Sequence, residues 1–111
     1  MVKQGDIIWV TLDPQAGHEQ TGRRPALVIS NDSVNRISKK IAMVCPITNT
    51  NKNIPFHIEL DDQTQTTGSI LCDQAKFIDI QARNFEFIEK IPKEILLEVV
   101  DIITGFIEIA D

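Results

Sequence analysis

The spacing of apolar residues changes once along this chain, at Pro92, and the change decides what the chain can fold into. Before it, apolar residues come in short runs, rich in β-branched side chains and cut apart by Gly, Pro, Asn and Asp. Runs of that composition suit strands. After it, Ile95, Leu96, Val99, Val100, Ile102, Ile103, Phe106 and Ile107 recur at helical spacing, with Glu94, Glu98, Asp101, Thr104 and Glu108 among them. At about 100° per residue the apolar set covers one half of a helix and the polar set the other. Pro92 suits a first helical position, where a missing N–H loses no partner.

The expected strands are residues 5–13, 25–30, 41–48, 54–60, 69–74 and 76–80. Residues 25–30, "PALVIS", are almost wholly apolar and so belong to a strand buried on both faces. Pro46 pushes the third strand toward a sheet edge or bulge, because it cannot donate to a ladder. In "IPFHIEL", Phe56, Ile58 and Leu60 share one face, and His57 and Glu59 point outward on the other. Residues 31–40 are polar, with room for one helical turn capped by Asn31 or Asp32. The resulting class is mainly β: a small barrel or curled sheet with a C-terminal amphipathic helix laid on it, one domain over residues 1–111.

At 111 residues and 42% apolar content the chain suits one core. No stretch reaches the ~18 apolar residues of a membrane span. The opening "MVKQGDIIWV" lacks the layout of a signal peptide, so a cytoplasmic protein is expected. Cys45 and Cys72 each lie in an apolar run and read as buried free thiols. No CxxC, P-loop or GxGxxG occurs, and His18 and His57 fall at no metal-ligand spacing, so neither metal nor cofactor is expected. The net charge of −5 argues against a nucleic-acid binder, but its distribution does not: residues 1–53 carry +3 and residues 54–111 carry −8. The first half could therefore present a cationic face, unless the halves of the sequence do not map onto faces.

Between the first two strands lies the eleven-residue connection "PQAGHEQTGRR", far longer than the two to five residues usual in a hairpin. Gly17 and Gly22 allow positive φ and close approach of a ligand. Arg23 and Arg24 stand where the loop enters a buried strand, and a rooted guanidinium grips a phosphate with little loss of freedom. In extended backbone the two point to opposite faces, and Arg24 is favoured as the one that faces a site. Cleaving RNA needs a proton acceptor for the 2′-hydroxyl and fixed charge for the phosphoryl oxygens. Glu19 can serve as the first and Arg24 as the second. Thr48 sets a hydroxyl at the end of the third strand, with Asn49 and Lys52 following. Taken singly, Glu19 also reads as a solvated carboxylate, Thr48 as an ordinary strand-end residue, and His18 as either a substrate contact or a plain loop histidine.

The run "GDIIWVTLDPQAGHEQTGRRPALVIS", followed by "CPIT" and "LCDQAKFIDIQAR", resembles the MazF/PemK family of toxin endoribonucleases over nearly the whole chain. The G-x-E-Q-x-G-x-R-P pattern after a strand carries the resemblance. It implies an SH3-like barrel with a C-terminal helix, a homodimer, and metal-independent cleavage of single-stranded RNA to 2′,3′-cyclic phosphate and 5′-hydroxyl ends. Position by position, it implies that Arg24 and Thr48 are catalytic, with Glu19 the base proposed in some members. It further implies that Gln20, Lys52, Gln74 and Lys76 lie along the RNA groove. The implied partner is a cognate antitoxin whose acidic C-terminal segment fills that groove, with DNA reached only through the antitoxin. Two positions depart from the pattern: Ile80 stands where relatives often carry Trp, and Arg23 occupies a variable place where it can add phosphate affinity. Two other readings stay open. A gyrase poison on the same barrel is disfavoured by the ending Ile109-Ala110-Asp111 in place of Trp-Gly-Ile; a catalytically inactive partner-binding barrel is disfavoured by the retained Glu19, Arg24 and Thr48.

Overall fold

The computed structural model describes residues 1–12, 22–49 and 55–109. Its strands are β1 (Asp6–Thr11), β2 (Arg23–Val28), β3 (Ile41–Thr48), β4 (His57–Glu59), β5 (Ser69–Leu71), β6 (Lys76–Asp79) and β7 (Glu86–Lys90). The helices are α1 (Asp32–Ser38) and α2 (Lys93–Phe106), with single 3-10 turns at Cys72–Gln74 and Gln81–Arg83. All described pairings are antiparallel, in the order β4-β5-β3-β2-β1-β7, with β6 on β3 as well. The architecture is the expected mainly-β sheet with a C-terminal helix, curled but not closed: β4 and β7 end the path.

Strand β3 organises the sheet. One of its edges pairs with β2 from Val44 to Pro46. The other pairs with β6 from Ile41 to Val44 and with β5 at Ile47 and Thr48. Pro46 therefore does not lie at a sheet edge; it sits in an interior strand, at the gap between β6 and β5. A residue without an N–H is tolerated there because no neighbour on that side requires one.

Alternation along β1 and β2 divides the apolar residues between two cores. Ile7, Leu27, Cys45, Ile47 and Ile70 pack with Ile95 and Val99 of α2 on one side. Ile8, Val10, Leu12, Ala26, Val28, Val44, Ile78 and Ile80 form a second cluster on the other. β2 is thus buried on both faces, as its unbroken apolar run required. Helix α2 begins one residue later than expected: Pro92 has an extended ψ of 142° and precedes the helix, its carbonyl accepting from Ile95 and Leu96 N–H. The apolar face holds through Ile103; Phe106 is half-exposed and meets Phe56 edge-on at 5.0 Å, and Ile107 lies exposed beyond the helix.

Helix α1 is longer than one turn, with Asn31 as its cap, accepting from Val34 N–H at 2.9 Å. Seven residues form no stable helix alone. A buried polar knot holds this one: Ser30 Oγ donates to Asn35 Oδ1 and accepts from Met43 N–H, while Asn35 Nδ2 donates to the Ser30 carbonyl. Strand β7 was not expected, since its charges at Glu86, Glu89 and Lys90 interrupt any alternation around Phe87 and Ile88. It is an edge strand whose pairing comes from β1. His57, expected outside, has a side chain only 7% exposed and paired with Asp73 Oδ1 at 3.0 Å. The turn at Cys72–Gln74 brings that carboxylate over the strand.

Leu27→Ala removes a fully buried side chain of the first core and should lower the unfolding free energy by about 2–5 kcal/mol in urea titration. Ile37→Ala, on an exposed position of α1, should change it by less than ~0.5 kcal/mol.

Candidate active site

The site begins with strand register. Ala26 faces Pro46, Leu27 faces Cys45 and Val28 faces Val44. Continuing that pairing by two residues sets Arg24 opposite Thr48, on one face of adjacent strands. Arg24 Nη1 donates to Thr48 Oγ1 at 3.4 Å, a long bond by hydrogen-bond standards. Such a contact holds the guanidinium in place and is easily exchanged for a stronger acceptor. Thr48 is otherwise buried, and a cavity of about 470 Å³ opens beside the pair.

Arg23 takes partners of its own on β1 and β7, yet it borders the same cavity. The expectation that only one of the two arginines faces the site therefore does not hold: both lie at the end of the sheet, where either face opens onto it. The Arg23 guanidinium donates to Glu86 Oε1 and to the Asn84 carbonyl at 3.0 Å each, and to Thr11 Oγ1 at 3.4 Å. It also lies 5.9 Å from the centre of the Trp9 ring. Both arginines edge the cavity, Arg24 from the Thr48 side and Arg23 from the β1–β7 side. The Arg23–Glu86 pair is solvent-accessible and contributes little stability by itself.

The remaining wall comes from a segment that the sequence marks only as a turn. Gln65, Thr66 and Thr67, between β4 and β5, line the cavity with Asn49. Asn49 Oδ1 accepts from Thr67 Oγ1 at 3.1 Å. Glu89 of β7 fastens the same segment: one carboxylate oxygen accepts from Gln65 N–H at 3.1 Å, the other from Thr66 N–H and Thr66 Oγ1 at 2.7 Å each. Partial desolvation alone would raise the carboxyl's pKa, but the bonds from Thr66 and Gln65 outweigh it and hold Glu89 below its ordinary value. Gly68 closes the segment against the site with φ +113°, and a Cβ there would stand 2.5 Å from the Thr48 carbonyl oxygen.

Of the other expected site residues, Gln74 lies in the 3-10 turn before β6 and Lys76 pairs with Val44 on β3. Neither lines the cavity that holds Arg24 and Thr48. His18, Glu19, Gln20 and Lys52 lie outside the described residues. The segment carrying the first three has its flanks tied by Leu12 N–H to the Gly22 carbonyl at 2.9 Å, and Gly22 takes the positive φ of 80° expected of it. The first-half cations divide between two ends of the molecule. Arg36, Lys39 and Lys40 rim a separate cavity of about 440 Å³ with Ile41, Ile80 and Phe85. Ile41 and Thr48 are the two ends of β3, about 23 Å apart at strand rise. Ile80 is buried in the second core and borders that separate cavity, not the one beside Arg24 and Thr48. Both cysteines are free and buried. Burial, then Cys72 and Asp73, raises the Cys45 thiol; burial, then Asp73 and Glu98, pushes Cys72 up to about 11. Neither is a nucleophile at neutral pH.

With this geometry in hand, comparison with known proteins gives one consistent answer. The sequence profile of a family described as PemK-like, MazF-like toxin of type II toxin-antitoxin system matches residues 3–107. Endoribonuclease PemK of Escherichia coli is 38% identical over 102 residues, 88% of this chain and 76% of the relative. Endoribonuclease EndoA of Bacillus subtilis is 40% identical over 86 residues, 73% of each. The crystal structure of MazF from Deinococcus radiodurans superposes with a TM-score of 0.88 at 33% identity, covering 95% of this chain and 94% of that one. A MazE-MazF structure from the same organism superposes at 0.84 with 32% identity, covering 98% and 97%.

Gly68→Ala should cost roughly 1–3 kcal/mol of stability, because a side chain there is strained in φ and strikes the backbone of Thr48. Glu89 should stabilise its segment fully above the ordinary carboxyl value of 4.5 and lose that effect as pH falls below it, through the lowered value. The protection factor of the Thr66 amide, its exchange rate referred to the intrinsic rate at each pH, should therefore fall between pH 7 and pH 3 in the wild type toward the value that Glu89→Ala shows.

Proposed function

The chain belongs to the PemK-like, MazF-like toxin family of type II toxin-antitoxin systems, and from that premise we propose that it is an endoribonuclease that cuts single-stranded RNA at the Arg24–Thr48 pocket. The observation that carries the reading is the cross-strand pair itself: a guanidinium held by a threonine hydroxyl at 3.4 Å beside an open cavity of about 470 Å³.

Cleavage proceeds by attack of the RNA 2′-hydroxyl on the adjacent phosphorus while the bond from phosphorus to the 5′-oxygen breaks and that oxygen takes a proton from water, leaving a 2′,3′-cyclic phosphate and a 5′-hydroxyl. Charge grows on the non-bridging oxygens as the new bond forms. Arg24 supplies fixed positive charge there and exchanges its long bond to Thr48 for one to the phosphate, and the Thr48 hydroxyl then donates to a second oxygen. Because both groups are rooted in paired strands, little reorganisation is required when the charge appears. Glu19, on the segment that enters and leaves beside β2, accepts the proton of the 2′-hydroxyl. Arg23, over Trp9 at the same cavity, adds attraction for a neighbouring phosphate and a ring for a base to stack on.

The family also supplies the biology of the reading. The protein acts in the cytoplasm as a homodimeric toxin restrained by a cognate antitoxin, whose acidic segment competes with RNA for this cationic pocket. MazE-MazF assemblies of the relatives support that partner.

Purified protein should digest single-stranded RNA in excess EDTA, with products bearing 5′-hydroxyl ends mapped by primer extension. Arg24→Ala should lower the rate roughly hundred- to thousandfold, the cost of one preorganised charge at a transition state. Thr48→Ala should lower it without unfolding the protein. Wild-type rates in Arg24→Ala would contradict the assignment.

A further inference from the structure

We propose that Gln65 reads a base of the RNA beside the cut and that Glu89 is the residue that positions it. The inference rests on the endoribonuclease reading of the Arg24–Thr48 pocket and adds a source of sequence preference to it. Gln65 combines two properties seldom found together on a turn. Its backbone is fixed, with N–H donating to Glu89 Oε1 at 3.1 Å. Its side chain is exposed at the cavity and its carboxamide has no hydrogen-bond partner among the described residues. A carboxamide offers a donor and an acceptor side by side, the pairing needed to distinguish one base edge from another in unstacked RNA. Fixing the backbone removes part of the freedom that binding would otherwise cost.

The clamp is built for position rather than for bulk stability. Glu89 divides its two oxygens between Gln65 and Thr66, so both residues of the wall are referenced to β7. Thr67 is tied in turn to Asn49, next to Thr48. Gly68 and Ser69 then meet Thr48 itself, since Ser69 pairs with it across β5 and β3. Gln65 is therefore held at a set place relative to Arg24 and Thr48 through three successive fastenings, without touching either. The phosphate contacts specify no base; a carboxamide carried on a fastened backbone beside them can.

The test uses an RNA library with randomised positions around the wild-type cut, sequenced at its 5′ ends. Gln65→Ala should relax preference at one position by about tenfold or more and leave the others unchanged. Glu89→Ala should relax that same position, and the double variant should relax it no further than either single one. On a fixed RNA of the preferred sequence, both should raise KM with kcat nearly unchanged, and Glu89→Gln, which keeps one acceptor for Thr66, should restore part of the preference. Thr66→Ala removes one clamp bond while sparing the carboxylate, and should shift the same position in part, which keeps the proposal testable if Glu89→Ala fails to fold. An unchanged motif in Gln65→Ala would overturn the inference. So would a Glu89→Ala protein that cuts every sequence equally less well, since that is the signature of a merely structural role. Arg24→Ala in the same library separates the two levels. If it cuts at the wild-type rate, the pocket reading itself is wrong; if it is inactive while Gln65→Ala keeps the motif, only the base-reading role is lost.

Discussion

Strands β2 and β3 pair with Ala26 facing Pro46 and Val28 facing Val44, and this register places Arg24 across from Thr48. Both strands are interior, and buried residues surround the pairing on both faces. A slip of one residue would turn Val44 and Cys45 to the wrong cores, so the register is fixed by packing. The consequence appears just beyond the packed region, where Arg24 and Thr48 lie across from each other. A charged side chain and a hydroxyl that are 24 positions apart in sequence are thereby brought within hydrogen-bond reach of each other.

The surrounding elements serve that pair from both sides. β1 and β7 take the Arg23 guanidinium, through Trp9, Thr11 and Glu86, which leaves Arg24 as the arginine turned to the threonine. β7 also supplies Glu89, which secures the wall of the cavity. An edge strand with three charged residues looks like a poor strand on its own. Its charges are spent on contacts: Glu86 on Arg23, Glu89 on Thr66, and Lys90 on Asp6 at 2.7 Å.

What could be read in advance follows from the range of the interactions. The apolar runs of β1, β2 and β3, the helical period of α2, the Asn31 cap and the opposed directions of Arg23 and Arg24 depend on neighbours a few residues away. All are legible in the sequence. Strand β7, the covered His57, the interior place of Pro46 and the role of Glu89 depend on pairings between distant segments, and nothing local announces them. Gln65 sits in "DDQTQTTG", where composition says only turn; its importance comes from a carboxylate 24 residues further on. The uneven charge of the two halves misleads in a related way, since Arg36, Lys39 and Lys40 lie at the other end of β3 from Arg24.

The central claim concerns where a phosphodiester sits. A crystal structure with a single-stranded RNA made uncleavable by a 2′-deoxy substitution at the cut position tests it most directly. The account predicts the scissile phosphate at the β2–β3 end of the sheet, with Arg24 turned from the Thr48 hydroxyl to a non-bridging oxygen and that hydroxyl donating to the same group. A phosphate bound instead among Arg36, Lys39 and Lys40, with the Arg24–Thr48 contact undisturbed, would contradict it.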